Sequence, residues 1–228
     1  MISHKYECIF LHIPKAAGTS IETALGHLEA HKGREGQDHR SLRMMLWPTW
    51  QPSAFSSVDN MKEVIKACIY PFQKHPNSNN TIGMTKAQYE RYVKFTVVRN
   101  PWARAYSWYR NVMRDEIHQK TLGVGTEITF KDFLGRFRGH GILKPQTHWL
   151  KDFDHRIPMD YICRFENLQS DFDEVCKLMA IERIQLPHTL KGSGEDYAAF
   201  YDADSIRMIE ETYADDIRLF GYSFDDGT

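Results

Sequence analysis

The chain has 228 residues, the length of one ordinary domain, which would bury about 70% of its unfolded surface. Its 29 basic and 30 acidic side chains nearly cancel, and this argues against a nucleic-acid partner, which requires a strong basic footprint. No apolar run approaches the roughly 18 residues of a membrane helix, and the first seven residues are polar, unlike a signal peptide. Four cysteines without CxxC spacing indicate buried thiols and no metal site. We therefore expect one cytoplasmic domain over residues 1–228, without a membrane span.

Residues 8–20 predict a buried strand, a tight loop and the start of a helix. The apolar run 8–13 has the length of a strand, and Pro14 ends it. Gly18 allows the backbone to turn back, and the helix that follows is expected to stop at Gly26. A strand that leads through a tight loop into a helix is a common setting for anion binding.

The loop between this strand and this helix is suited to a phosphate-like group. N–H groups at a helix N-terminus attract anions, and Lys15 adds a full positive charge. Further backbone and hydroxyl donors come from Ala17, Gly18, Thr19 and Ser20. In the common nucleotide-triphosphate loop, by contrast, the lysine follows the second glycine and a Ser or Thr after it holds magnesium. The alternative is an ordinary turn with an exposed lysine.

A second strand-to-helix corner follows in residues 95–107. The short β-rich run ends at Arg99, and the carboxyl ends of strands in open parallel sheets are where ligands bind. Asn100 is a suitable N-cap and Pro101 suits the first helical position. Arg99, Arg104 and Ser107 are expected to converge on a second anion, since arginine forks match phosphate oxygens. The alternative is a helix with solvated arginines.

Two separated anion sites imply a ligand with two anionic groups, and 3'-phosphoadenosine 5'-phosphosulfate (PAPS) fits that description. At this point the chain resembles the sulfotransferase family, in the branch that contains bacterial and glycan O-sulfotransferases. Residues 12–20 resemble the family's 5'-phosphosulfate loop, and residues 98–107 resemble its 3'-phosphate element. Further likeness lies at residues 145–146, 163–168 and 213–222, in the same order along the chain.

The resemblance and the alternation of strands with helices imply an α/β fold. We expect a single P-loop-like domain with a central parallel β-sheet flanked by helices on both faces. The implied activity is sulfuryl transfer from PAPS to an acceptor hydroxyl of a carbohydrate or small metabolite, with PAP (adenosine 3',5'-bisphosphate) as product and no metal. Lys15 would stabilise the charge on the leaving phosphate. The family usually has Thr where this chain has Ala16.

The acceptor hydroxyl needs a base, and His39 is the choice among 11 histidines. The resemblance favours it, because the glycan branch places its catalytic histidine at this point of the chain. Asp38 is the alternative proton acceptor, or a residue that orients the imidazole. His12 is expected to be a core histidine. Gln146 and His148, with Asp38, are expected to line the acceptor pocket.

Three further residues are expected near the nucleotide: Arg164, after a predicted strand, and Lys191 and Gly192, in a late loop. Two other functions stay open, a nucleotide-dependent P-loop-like kinase and a binding module without activity. The sequence leaves open the acceptor, the choice between O- and N-sulfation, and the oligomeric state.

Overall fold

The computed structural model describes residues 1–29, 36–187 and 196–225. These residues form two compact units. Unit 1 takes the described residues up to 98 and those from 147 to 187, and unit 2 takes residues 99–146 and those from 196 onwards. The single domain over residues 1–228 stays a prediction.

Unit 1 contains a four-stranded sheet with the strand order β1-β2-β3-β4. The strands are β1 (Ile2–Ser3), β2 (Cys8–Leu11), β3 (Val93–Val98) and β4 (Tyr161–Arg164). β2, β3 and β4 are parallel, as the sequence predicts, whereas β1 is antiparallel to β2 and was not predicted. A strand of two residues is too short to show a hydrophobic period.

The central strands are buried because nearly all of their side chains are apolar. All four residues of β2 are fully buried, which is typical of a strand covered on both faces. Phe10 of β2 is the register partner of Phe95 of β3, and their ring centroids lie 5.0 Å apart. The Thr96 hydroxyl donates to the Leu11 carbonyl oxygen at 2.8 Å. These contacts fix the ends of β2 and β3 beside each other.

Eleven helices flank and follow these strands in the described residues. They are α1 (Gly18–Ala24), α2 (Leu42–Met45), α3 (Val58–Ile69), α4 (Lys86–Arg91), α5 (Pro101–Met113), α6 (Glu116–Leu122), α7 (Phe130–Phe137), α8 (Gln146–Leu150), α9 (Leu168–Leu178), α10 (Ala203–Thr212) and α11 (Ala214–Phe220). In unit 1, α9 packs on the sheet, with Phe172 6.1 Å from Phe95 between ring centroids. The chain is therefore mixed α/β with a sheet flanked by helices, and its P-loop-like character stays a prediction.

Unit 2 is helical around an aromatic core. Tyr106 of α5 stacks on Phe200 at 4.6 Å and meets Phe130 of α7 edge to face at 5.5 Å. Phe133 of α7 and Tyr213 are almost fully buried. Such aromatic pairs add to the burial that stabilises the unit.

The cysteines are all free. Cys8, Cys163 and Cys176 are buried, as predicted, whereas Cys68 on α3 is exposed, so the prediction of a core thiol is wrong there. Burial raises the pKa of the Cys8 thiol to about 12, so this thiol stays protonated and unreactive.

Candidate active site

The loop that precedes α1 has a strained backbone. Lys15 and Ala17 adopt left-handed conformations, with φ of 69° and 61°, although neither is glycine. Each such residue costs about 1 kcal/mol or more, and this strain clusters at ligand sites. Alternating backbone conformations of this kind turn N–H groups towards a common concave side that suits an anion. Because α1 has only seven residues, the loop's own backbone and the half-buried Lys15 carry the argument for an anion site, rather than the helix.

Gly18 is required by a close contact with His12. A Cβ atom at Gly18 would lie 2.1 Å from Cδ2 and 2.3 Å from Nε2 of the His12 ring. His12 follows β2 directly and is 3% exposed, so the expectation of a core histidine is confirmed as far as burial goes. The ring lies directly against the predicted donor loop.

His39 packs directly on His12. The two imidazole centroids lie 4.3 Å apart in an edge-on arrangement, and Nδ1 of His39 is 3.4 Å from the His12 carbonyl oxygen. Burial and, to a smaller extent, the charge of His12 lower the pKa of His39 to about 4 against the opposing effects of Glu22 and Asp38. The imidazole is therefore neutral at pH 7. With its proton on Nδ1 towards the carbonyl, Nε2 has the lone pair that a base needs.

Asp38 is too deeply buried to accept a proton from a substrate or to line an acceptor pocket, the roles proposed for it from the sequence. Its carboxylate is fully buried and accepts from Arg40 through Nε at 2.9 Å, Nη2 at 2.7 Å and the backbone N–H at 3.1 Å. Burial alone would raise the pKa of Asp38, but the Met1 ammonium and the Arg40 guanidinium hold it well below its usual range. Asp38 thus holds the loop around His39 in shape instead of taking a proton or lining an acceptor pocket.

Glu22 of α1 is a site residue that sequence reasoning missed. It is fully buried, and its Oε1 lies 3.1 Å from Nδ1 of His12 and accepts the Asp38 N–H at 3.0 Å. Burial would raise the pKa of Glu22, but the adjacent His12 and the Met1 ammonium together lower it. A buried, ionised carboxylate therefore lies next to His12, which in turn packs on His39. The only sequence signal was an acidic residue next to Ile21 in a helix too short for a clear polar face.

The second predicted corner belongs to unit 2 and is built from amide side chains. Asn100 caps α5: its Oδ1 accepts the N–H groups of Trp102 at 3.0 Å and Ala103 at 3.2 Å, and Pro101 occupies the first helical position. Its Nδ2 donates to the Ser223 carbonyl oxygen at 2.8 Å. The prediction of this capped helix start is confirmed.

Gln146 holds the backbone of Arg99 instead of lining an acceptor pocket. The Arg99 N–H donates to Gln146 Oε1 at 2.9 Å, and Gln146 Nε2 donates back to the Arg99 carbonyl oxygen at 2.9 Å. Gln146 is fully buried, and its own N–H donates to Asp216 Oδ2 at 2.5 Å. Gln146, which was expected to contact the acceptor, therefore fixes the backbone of Arg99, which was expected to bind the donor.

Arg104 is buried and bonded to main-chain carbonyl oxygens of unit 2. It is 1% exposed, and its guanidinium donates to the carbonyl oxygens of Lys144 at 3.0 Å and Ile142 at 2.5 Å. Burial lowers its pKa, opposed by Tyr213 and Asp216. Arg104 thus supports the interior of unit 2, while Arg99 and Ser107 are half-buried and remain candidates for the anion.

The remaining predicted residues are placed as follows. His148 lies between Arg43, with Nη2 3.4 Å from its Nδ1, and Glu63, with Oε1 3.8 Å from its Nε2. Arg164 ends β4, its backbone N–H donates to Asp171 Oδ2 at 2.6 Å, and its side chain is half-buried. Lys191 and Gly192 lie outside the described residues.

Residues 1–223 match a family model described as the sulfotransferase family. The chain belongs to the sulfotransferase family. Comparisons of this sulfotransferase with curated proteins and with solved structures gave no match. The family supports sulfuryl transfer in general, and the bacterial or glycan branch stays a prediction.

Two absences concern only the described ranges. None of the helices placed there is long and apolar enough to cross a membrane. The same part of the chain contains no group of three or more His, Cys, Asp or Glu side chains arranged to hold a metal ion.

Proposed function

We propose that this sulfotransferase moves a sulfuryl group from PAPS to a hydroxyl of a small metabolite or glycan and releases PAP. One observation carries the proposal: His12 contacts both Gly18 and His39 within unit 1. The strained loop and a neutral imidazole, predicted separately from the sequence as donor site and base, are thereby neighbours across a single side chain.

The donor's 5'-phosphosulfate is assigned to the loop. The left-handed residues Lys15 and Ala17 shape the backbone, and the Lys15 ammonium supplies a full charge. Thr19 and Ser20 are both half-buried and add hydroxyl donors at the start of α1. A charge-assisted hydrogen bond to a phosphate oxygen contributes about 1.5–3 kcal/mol, so one lysine here has a measurable effect on donor affinity.

The donor's 3'-phosphate is assigned to Arg99 and Ser107 of unit 2. Two mutual hydrogen bonds from Gln146 fix the Arg99 backbone, and Asn100 fixes the turn into α5. A guanidinium on a fixed backbone loses less conformational freedom when it binds a phosphate. Arg104 is left out of the binding set because its guanidinium is buried against main-chain carbonyls.

In the transfer step, Nε2 of His39 accepts the proton of the acceptor hydroxyl. The acceptor oxygen forms a bond to sulfur as the bond between sulfur and the bridging phosphate oxygen breaks. The electron pair of the broken bond stays on that oxygen, and the leaving group is PAP. By analogy with phosphoryl transfer, positioning and charge stabilisation supply most of the rate.

Lys15 acts where negative charge develops on the leaving oxygen. A fixed cation at that oxygen stabilises the transition state more than the ground state, because the charge there grows during the step. His39 and Lys15 thus act at opposite ends of the transferred group, one on the incoming oxygen and one on the outgoing oxygen.

A transfer assay tests this function before the acceptor is identified. PAPS labelled with radioactive sulfur is incubated with small-molecule and glycan extracts, and labelled products are identified by mass spectrometry. The wild-type chain should label a product, Lys15→Ala should not, and the exposed control Lys62→Ala should match wild type. Full transfer by Lys15→Ala would contradict the mechanism. A parallel run with ATP labelled at the γ-phosphate and magnesium tests the kinase alternative, and label transfer only from ATP would replace the proposal.

A further inference from the structure

The buried residues Glu22 and His12 are unexplained by donor binding or proton transfer as described above. Both lie within unit 1, and their exposed fractions are only 0% and 3%. Ionisable side chains are rarely buried unless they are paired, because desolvation of a charge is costly. Their retention in the interior therefore calls for a reason.

Through His12, the pair contacts both the donor loop at Gly18 and the ring of His39. The Nδ1 edge of the His12 ring faces Glu22 Oε1 at 3.1 Å, and its Cδ2–Nε2 edge lies against Gly18 of the loop. The ring centroid is 4.3 Å from that of His39, and the His12 carbonyl oxygen lies 3.4 Å from His39 Nδ1. One imidazole thus touches the loop, the carboxylate and the base.

Glu22 also reaches the loop of His39 by a second route. Its Oε1 accepts the backbone N–H of Asp38, the residue directly before His39. Among the residues that the structure describes, neither its Oε2 nor Nδ1 of His12 has a hydrogen-bond partner, although 3.1 Å separates that nitrogen from Oε1. The two side chains are therefore held beside each other by packing, and Glu22 Oε1 is already bonded to the Asp38 N–H.

We infer that Glu22 and His12 form a positioning pair that sets the ring orientation and proton position of His39 while holding the loop at Gly18. The inference rests on the proposed function, in which His39 is the base that the pair orients. Its physical content concerns only the two imidazoles and the carboxylate, and these can be observed without donor or acceptor.

The first test is nitrogen NMR of the histidine side chains in the unliganded wild-type chain. Variants His39→Asn and His12→Asn assign the two sets of signals. The inference expects the proton of neutral His39 on Nδ1, towards the His12 carbonyl. A His39 proton on Nε2 would overturn the inference, and this measurement needs no variant at Glu22.

The second test removes only the charge. Glu22→Gln keeps the side-chain length and an oxygen for the Asp38 N–H. Three ionisable groups face His39 and influence its titration: His12, Glu22 and Asp38. Because the Glu22 charge raises the pKa of His39, the inference expects its titration midpoint to fall by about half a pH unit or more, roughly a threefold loss of proton affinity. Glu29→Gln removes the same charge from an exposed position nearby and should leave the midpoint unchanged.

The outcomes separate the inference from the proposed function. If Glu22→Gln folds and His39 titrates as in wild type, the positioning pair is wrong, even if the chain transfers sulfuryl groups. If the midpoint moves but the wild type transfers no label, the pair stands and the proposed function fails. If Glu22→Gln does not fold, His12→Asn decides: an unchanged midpoint and proton position of His39 in that variant would overturn the inference.

Discussion

The two predicted anion corners are built in different ways. The corner of unit 1 draws its residues from positions 12 to 39 and combines a strained loop with buried ionisable side chains. The corner of unit 2 uses the neutral amides of Asn100 and Gln146, which bond to backbone 123 and 47 residues away in sequence. The first corner should therefore respond to charge and pH, and the second to the loss of hydrogen-bond geometry.

Gly18→Ala should have the largest effect and should act on the first corner alone. The new Cβ would lie 2.1 Å from His12 Cδ2, so the ring or the loop must move. We expect PAP affinity, measured by calorimetry, to fall by about a hundredfold, the equivalent of about 3 kcal/mol. Gly83→Ala is the matched control, because a Cβ there meets no atom within 4 Å. Unchanged affinity in Gly18→Ala would remove the loop from the donor site.

Gln146→Ala should be the largest single change at the second corner. It removes both hydrogen bonds to the Arg99 backbone, and a buried group without its partner costs about 1–3 kcal/mol. We expect a lower free energy of unfolding in a denaturant titration and weaker PAP binding. Gln146→Glu keeps the oxygen that accepts the Arg99 N–H, so its free energy of unfolding and its PAP affinity should lie between those of wild type and Gln146→Ala. A stability loss with unchanged PAP affinity would mean that Arg99 does not bind the donor.

Asn100→Ala should have a smaller effect on the same corner. Loss of an N-cap costs about 0.5–2 kcal/mol, and the bond to the Ser223 carbonyl oxygen is lost with it. Asn100→Asp keeps the capping oxygen and lacks the Nδ2 donor, so the difference between the two variants isolates the cap. Equal melting temperatures for both variants and wild type would show that the cap does not stabilise α5.

The dependence of kcat/KM on pH should be the smallest effect, because the pKa of His39 lies below the neutral range. The base must be unprotonated, and burial lowers the pKa of His39 to about 4. We expect kcat/KM for sulfuryl transfer to rise as pH increases through about 4 and then to stay level to pH 7. Arg99→Lys, at the second corner, should lower kcat/KM without moving this limb. A limb near 6.5, the ordinary value for histidine, would mean that His39 is not the base or is not buried.

The sequence predicted the local parts of both corners well. The strand before the loop and the helix start capped by Asn100 follow from neighbouring residues, and the structure has β2 and α5 in those places. His39 was favoured by the family resemblance, and its role as a base stays a prediction. Capping and glycine preferences act over a few residues, so they are visible in the sequence.

The roles of Gln146, Arg104 and Asp38 could not be predicted in this way. Arg104 was assigned by its helical spacing, Asp38 by its place beside His39 and Gln146 by its place beside His148. Each is buried against backbone or another charge. The burial of a single polar side chain depends on contacts between distant segments, and local apolar patterns do not report it. Glu22 was missed for the same reason, since its partner His12 lies on the preceding strand segment.

The most direct test of the account is a calorimetric comparison of two half-ligands, adenosine 5'-phosphate and adenosine 3'-phosphate. We predict that Lys15→Ala weakens only the 5'-phosphate by about tenfold or more, and that Arg99→Ala does the same only for the 3'-phosphate. The exposed controls Lys62→Ala and Arg207→Ala should bind both ligands as wild type does. If both active-site variants weaken the same half-ligand, or if neither weakens any, the two corners do not bind the two phosphates of PAPS and the account is contradicted.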